Sequence, residues 1–313
     1  MENKVLGLHH ITAIAGDAQR NYDFYTQTLG LRLVKKTVNF DDPQTYHFYF
    51  GDRIGTPGTL ITFFPWPRVR QGIPGAGMAT EIGYSVPEGS LEFWKDRFER
   101  LQVWHDGLET HLGERSLPFQ DPDGLGLRLI EAADSDTRTA WETAEIKQEH
   151  AMKGFHTVTL TLNNIKATAR ILEEVFGYEL LEKEENMYRY RTHAVEQAAF
   201  VDLLESPGAP RGLNAGGTNH HVAFRVKDEK VLMAFREKIL ARGLYITEKI
   251  NRDYFYSLYF REPGGVLFEI ATDNPGFMVD EAVDQLGSTL QLPSQYEGIR
   301  AEIEEALPTL HIN

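Results

Sequence analysis

Asn219-His220-His221-Val222-Ala223-Phe224 reads as a β-strand, and Pro263-Gly264-Gly265-Val266-Leu267-Phe268-Glu269 reads as a turn running into another. Side chains alternate along a strand, so Val222, Phe224 and Val226 share one face while His221, Ala223 and Arg225 share the other. In the second stretch Phe268 and Ile270 share a face, and Leu267, Glu269 and Ala271 point the opposite way. A carboxylate on so apolar a strand needs a partner, because burying a lone charge is costly. A histidine meets that need directly, or as a fellow ligand with a metal between the two.

Far upstream, Leu8-His9-His10-Ile11-Thr12 repeats the paired-histidine strand start. Two histidines and one carboxylate on separate strands make the facial triad that holds Fe(II) and leaves positions open for oxygen and substrate. A single histidine in such a place is ordinarily a satisfied core or surface residue. Two His-His pairs, each opening an apolar strand, together with one inward Glu, favour a metal.

Composition sets outer bounds. The chain has 313 residues, 42% hydrophobic and 25% charged, which suits a folded protein with a substantial core. There are no Cys, so thiolate ligands, thiol nucleophiles and disulfides are excluded. A formal net charge of −14 argues against nucleic acid as a partner. The start, Met-Glu-Asn-Lys-Val, carries no secretory run, and no stretch approaches the ~20 apolar residues of a membrane helix. The expected location is the cytoplasm, with no membrane partner.

A strand–helix–strands pattern recurs four times. The first unit opens at Leu8–Ile14, its helix spans Asn21–Leu29 with Gly30 as C-cap, and three strands follow. The second opens at Thr80–Val86 with a helix at Leu91–Leu101. The third begins Gly154-Phe155-His156-Thr157, in place of Gly7-Leu8-His9-His10, with a helix at Ile165–Phe176. The fourth begins at His220 with a helix at Glu229–Arg242. The expected domains are an N-terminal pair of modules (1–133), a linker (134–150) that could instead be a helical insertion docked by Trp141 and Ile146, a C-terminal pair (151–273), and a bracing tail with a helix (274–313).

This layout resembles the vicinal oxygen chelate superfamily, which includes glyoxalases, extradiol ring-cleaving dioxygenases and metal-free resistance proteins. The likeness covers roughly Leu6 to Thr272, and its signatures are Leu8-His9-His10-Ile11-Thr12, Asn219-His220-His221-Val222-Ala223 and Glu262-Pro263-Gly264-Gly265-Val266-Leu267-Phe268-Glu269. It implies an α+β fold in which four βαβββ modules pair into two cupped mixed sheets. It further implies that the second His of each pair binds the metal, giving His10, His221 and Glu269, and it carries over His9, Thr12, His220, Arg252 and Tyr259 as residues around substrate and oxygen. Strand parity alone would turn His9 and His220 away from the cup.

Aligning the repeats puts Thr157, Glu81 and Arg128 at the His10, His221 and Glu269 positions, so one of two equivalent sites carries ligands and Glu81 with Arg128 reads as an ion pair. His10 and His221 can meet only if the first module pairs with the fourth. If Pro263-Gly264-Gly265 forms a three-residue hairpin loop, Tyr259 lies across from Glu269. Gly72–Gly77 reads as a module junction or pocket lid, Pro65-Trp66-Pro67 as an aromatic wall or a strand end, and His47 shows no ligand spacing.

A ligand in the first module resembles the hydroquinone-cleaving dioxygenases. The implied cofactor is Fe(II), with Mn(II) as the alternative; the implied partners are a small aromatic substrate and O2, with a homo-oligomer allowed. A glyoxalase-like metal-dependent lyase or isomerase and a metal-free aromatic-binding resistance protein are the rival readings.

Overall fold

The computed structural model describes residues 3–132 and 136–312. The expected boundary at 133/134 and the first residues of the linker fall outside the described residues. Each unit folds as β-α-β-β-β. The first contributes β1 (Leu8–Ala15), α1 (Ala18–Asp23), β2 (Arg32–Asn39), β3 (Asp42–Gly51) and β4 (Leu60–Pro65). The second contributes β5 (Met78–Val86), α2 (Leu91–Leu101), β6 (Glu109–His111), β7 (Glu114–Gln120) and β8 (Gly126–Glu131). The third contributes β9 (Gly154–Leu162), α3 (Lys166–Arg170), β10 (Glu179–Glu184), β11 (Met187–Arg191) and β12 (Phe200–Glu205). The fourth contributes β13 (Thr218–Val226), α4 (Glu229–Leu240), β14 (Ile250–Asn251), β15 (Phe255–Arg261) and β16 (Leu267–Pro275).

The modules pair crosswise. One eight-stranded sheet runs β14-β15-β16-β13-β1-β4-β3-β2, joining the fourth module to the first; the other runs β10-β11-β12-β9-β5-β8-β7-β6, joining the third to the second. The central pairs, β1 with β13 and β5 with β9, are antiparallel. Each sequence half therefore supplies one module to each sheet.

Strand parity sorts the two faces as the alternation predicts. Val222, Phe224 and Phe268 lie in the main core, where Phe224 packs on Phe268 at 4.8 Å between ring centroids and on Phe176 at 4.7 Å. On the other face of the same strands Ala223 and Ala271 leave room for a cup. α1 and α3 each run on into a π-helical turn, Phe24–Thr28 and Ile171–Phe176, where a uniform helix is expected from the sequence. Gly30 ends the first of these at φ +72°, and any Cβ there would meet Ile146 Cδ1 at 2.7 Å. That contact shows how the connecting segment docks: Ile146 is buried, and Trp141 lies under the Arg32 guanidinium at 4.9 Å. Among its described residues the segment forms no helix.

Two buried acids pin the closing hairpins to helices. Asp121 accepts from the backbone N–H groups of Asp123 and Leu125 and from the Tyr25 hydroxyl. Glu262 accepts from the N–H groups of Gly264 and Val266 and from the Thr168 hydroxyl. Burial pushes the Asp121 carboxyl up to about 7 and raises that of Glu262 as well.

The Gly72–Gly77 segment forms a clasp between halves. Gln71 bridges to Gly216, Ile73 to Leu213 and Ala76 to Arg211. The tail braces the outer wall of the first cup. Fully buried Lys35 reaches Asp280 Oδ1 at 2.6 Å and Glu281 Oε2 at 2.5 Å, Tyr296 donates to the Phe40 carbonyl, and Phe277 packs on Tyr49 at 5.2 Å. Its helix spans Arg300–Ala306, preceded by a 3-10 turn at Ser294–Ile299.

Candidate metal centre

Three neighbouring strands of the first sheet bring His10 (β1), His221 (β13) and Glu269 (β16) together. His10 Nε2 lies 3.1 Å and His221 Nε2 2.9 Å from Glu269 Oε2, and the two Nε2 atoms are 3.4 Å apart. All three residues are buried. Ligands at right angles around an ion with bonds of about 2.0–2.2 Å stand roughly 3 Å apart, so the spacing suits one face of such an ion.

Hydrogen bonding around the triad fixes which atoms are free. His9 Nε2 lies 3.1 Å from the Thr272 carbonyl, which can only accept, so His9 Nε2–H donates there. Burial, reinforced by His10, holds the His9 pKa well below the usual value, so the ring is neutral and its Nδ1 accepts. His10 Nδ1, 2.9 Å away, therefore carries the proton and donates to it. In the neutral ring, the form a metal binds, His10 Nε2 then aims its lone pair at Glu269. The contact of His220 Nδ1 with His221 Nδ1 at 2.8 Å takes the same form when His221 donates. Glu269 Oε1 accepts from Ser257 Oγ at 2.5 Å, while buried Oε2 has no hydrogen-bond donor among the described residues. Lone pairs from two nitrogens and an unpartnered carboxylate oxygen repel one another unless a cation sits among them. The donor set, two imidazoles and one carboxylate, fits a divalent transition metal.

Without a metal, protons on the ring nitrogens take the cation's place and set the electrostatics. Burial alone would push the Glu269 carboxyl up; His10 and then His221 outweigh it and hold that carboxyl well below the usual range. Burial lowers the His221 pKa against the opposing pull of Glu269, and burial followed by His221 takes His220 down to about 3. Neutral imidazoles are what a metal requires.

His9 backs the ligand His10 without lining the cavity, His220 backs His221 and lines it, and both can do so because neither obeys strand alternation. In the pairing of β1 with β13, Leu8 faces Phe224 and His10 faces Ala223, which leaves His9 as a bulge; Thr12 faces His221 and Ala13 faces Asn219, which leaves His220 as another. A bulge adds one residue and re-aims its neighbours. The second sheet has bulges at the equivalent positions, Thr80 and His156. There the ligand positions are filled by charge pairs and hydrogen bonds. Arg128 holds Glu81 at 2.7 and 3.0 Å, Thr157 donates to Asp202, and Arg189 is bidentate on Asp202 at 2.8 and 2.9 Å.

A cavity of about 430 Å³ opens over the first cup. His10, Thr12, His220, His221, Arg252 and Tyr259 all line it. Tyr259 lies across from Glu269 in the strand register. Arg252 sits between two rings, 5.2 Å from the Phe40 centroid and 5.3 Å from that of Tyr259. Burial pushes the Tyr259 hydroxyl up, so it stays protonated through the physiological range, and Tyr259 with Glu269 keeps Arg252 charged against its own burial. Phe64, Phe255 and Trp66 complete an aromatic wall, with Trp66 Nε1 donating to Asp42 at 2.9 Å.

Sequence reasoning missed His47, Tyr49 and Ser257. His47 and Tyr49 line the cavity, and their shared face with Thr45 on β3 was the available signal. His105, His111, His150, His193 and His311 do not line it.

Residues 7–129 and 154–270 match the family described as the Glyoxalase/Bleomycin resistance protein/Dioxygenase superfamily. The chain is 44% identical over 307 residues to "Putative ring-cleaving dioxygenase MhqO" of Bacillus subtilis (strain 168), covering 98% of this chain and 97% of that protein. It is 35% identical over 312 residues to "Chlorohydroquinone/hydroquinone 1,2-dioxygenase" of Sphingobium indicum, covering 97% and 96%. A crystal structure titled as that of a "putative dioxygenase" from Bacillus subtilis subsp. subtilis str. 168 superposes with a TM-score of 0.95 at 43% identity, covering 99% of both chains.

Proposed function

The chain belongs to the Glyoxalase/Bleomycin resistance protein/Dioxygenase superfamily, and from that premise we propose that it is an Fe(II)-dependent ring-cleaving dioxygenase acting on a hydroquinone or a related dihydroxylated aromatic. The ring-cleaving dioxygenase class is the one named for its full-length relatives. The observation that carries the metal is the convergence of His10, His221 and Glu269 with Glu269 Oε2 otherwise unpartnered. The substrate class is supported by the name of the Sphingobium relative and by a cavity with an aromatic wall and polar groups beside the triad.

When bound, Fe(II) supplies the one-electron chemistry that lets O2 react with a closed-shell ring. The protein does the rest. His10, His221 and Glu269 would hold the ion by one face. His9 and His220 would keep the ligand imidazoles in the tautomer that presents Nε2. Phe64, Phe255 and Trp66 exclude water and flank the ring plane. Arg252 offsets negative charge on an anionic ring oxygen or product, and Tyr259 offers a neutral hydroxyl beside it. Among the described residues the metal cluster holds a single carboxylate, which lends nothing to the lyase reading.

The deciding experiment is metal analysis of anaerobically purified protein, followed by oxygen uptake with hydroquinone and with catechol after Fe(II) reconstitution. One iron per chain and uptake with hydroquinone are expected. A preference for catechol would overturn the substrate, and no uptake with either would overturn the activity.

A further inference from the structure

Four side chains of the first cup that bind no metal are joined in one line. Tyr49 OH lies 3.0 Å from His47 Nδ1, His47 Nε2 lies 3.0 Å from Thr62 Oγ1, and Thr62 Oγ1 lies 2.8 Å from Thr12 Oγ1. All four residues are buried, and Tyr49, His47 and Thr12 line the cavity. The strands build this line. His47 and Tyr49 share a face of β3, Tyr49 faces Thr62 of β4, and Thr62 faces Thr12 of β1. Phe64 packs on the His47 ring at 4.4 Å and limits its rotation.

Each hydroxyl has one hydrogen to give, and a neutral imidazole gives one and accepts one. Thr62 could accept from both neighbours, but its own buried hydrogen would then have no acceptor among the described contacts, so the favoured arrangements run in one direction from end to end. When Tyr49 donates to His47 Nδ1, His47 Nε2–H donates to Thr62 and Thr62 donates to Thr12. The Thr12 O–H is then free to point into the cavity, and the Tyr49 oxygen is free to accept. When Thr12 donates to Thr62, every bond reverses and the roles of the two ends exchange. Both states hold the same number of protons and carry no charge. Burial, with His10 nearby, holds the His47 pKa well below its usual value, which keeps the ring in the neutral form that the line requires.

We propose that His47 is a positioning residue that makes Thr12 and Tyr49 a reciprocal pair, one donor and one acceptor, and that this pair selects a dihydroxylated ring with one oxygen deprotonated and the other still a hydroxyl. Thr12 stands two residues beyond the ligand His10 and faces His221 in the register, so the end beside the metal is the donor to the anionic oxygen. Tyr49 accepts from the remaining ring hydroxyl, and His47 carries its proton on Nε2. A ring with one oxygen, or with its second oxygen capped, leaves the Tyr49 end without its donor. The choice of ligand rests on the hydroquinone reading above.

The test is anaerobic titration calorimetry of hydroquinone and 4-methoxyphenol on the Fe(II)-loaded protein, in wild type, Tyr49→Phe and His47→Leu, with metal content measured on each. Wild type is expected to favour hydroquinone about two- to thirteenfold, the size of one neutral hydrogen bond. Tyr49→Phe, which keeps the ring and its packing, should bring that ratio near one. Histidine ¹⁵N correlation spectra of the zinc-loaded protein with hydroquinone should show His47 protonated on Nε2. A ratio unchanged in Tyr49→Phe, or His47 protonated on Nδ1 in that complex, overturns the proposal. Oxygen uptake on the same Fe(II) samples separates the two readings. Binding with the expected ratio but without uptake sinks the ring-cleavage reading and supports the reciprocal pair. Uptake with an unchanged ratio in Tyr49→Phe sinks the pair and supports the activity.

Discussion

His10 Nε2 and His221 Nε2 lie 3.4 Å apart although 211 residues separate them. The contact exists because β1 and β13 pair at the centre of one sheet, with Thr12 opposite His221. Two nitrogens held this close, each beside the same carboxylate oxygen, make a site whose occupancy depends on every group that orients the rings.

His9→Phe removes the acceptor for His10 Nδ1–H and frees the ring to adopt the wrong tautomer. Metal affinity should fall 10–100-fold, the usual effect of losing a group behind a ligand. His10→Ala should instead abolish stoichiometric binding. Competition with a calibrated chelator measures both, and equal losses in the two variants would show that His9 does more than orient.

Tyr259→Phe removes a hydroxyl that burial keeps protonated and that sits beside Arg252. Turnover should drop by roughly 10²–10⁴-fold if that hydroxyl takes part in proton transfer. Iron content should not change, because His10, His221 and Glu269 supply the converging ligand atoms. Steady-state oxygen uptake with iron analysis on the same sample checks it.

Lys35→Met leaves Glu281 buried beside Asp280 without their shared cation. Losing one partner of a buried pair costs about 3–5 kcal/mol. Adding Glu281→Leu should recover part of that loss. Urea midpoints of the three proteins give the comparison, and an unchanged midpoint in Lys35→Met would mean that the tail is not fastened there.

Asp121→Asn tests a pH dependence. The folded carboxyl titrates at about 7, above an unfolded value near 3.9. A raised carboxyl pKa contributes stability that is fully present below the unfolded value and is lost as pH rises through the folded one. The variant does not titrate. Its stability relative to wild type should therefore climb by about 1.4 kcal/mol per pH unit across the window from roughly 4 to 7, then level off. Denaturant unfolding at pH 5 and pH 8 reads the sign.

The ligand triad was legible because β13 from His221 onward and β16 around Glu269 keep strict alternation, and an inward Glu on an apolar strand has few physical excuses. Crosswise pairing followed from the ligands, since no other arrangement lets His10 meet His221. His9 and His220 were read less well because bulges break the period of two. Nothing in the local pattern marks a bulge when neither residue is Gly. His47 and Tyr49 could be read as sharing a face of β3 but not as parts of one line, for a different reason. Their role depends on Thr62, a hydroxyl on another strand, and hydroxyls carry no spacing signature. The π-helical turns that follow α1 and α3 likewise leave no mark in propensity.

The crosswise pairing also orders events in time. A chain leaving the ribosome presents His10 well before His221 and Glu269, which follow both middle modules. Until β13 arrives, β1 lacks its antiparallel neighbour, and a lone imidazole holds a transition metal only weakly. Synthesis thus withholds the candidate metal site until the modules on both sides of it have been made, at the cost of a long-range closing step that slows folding.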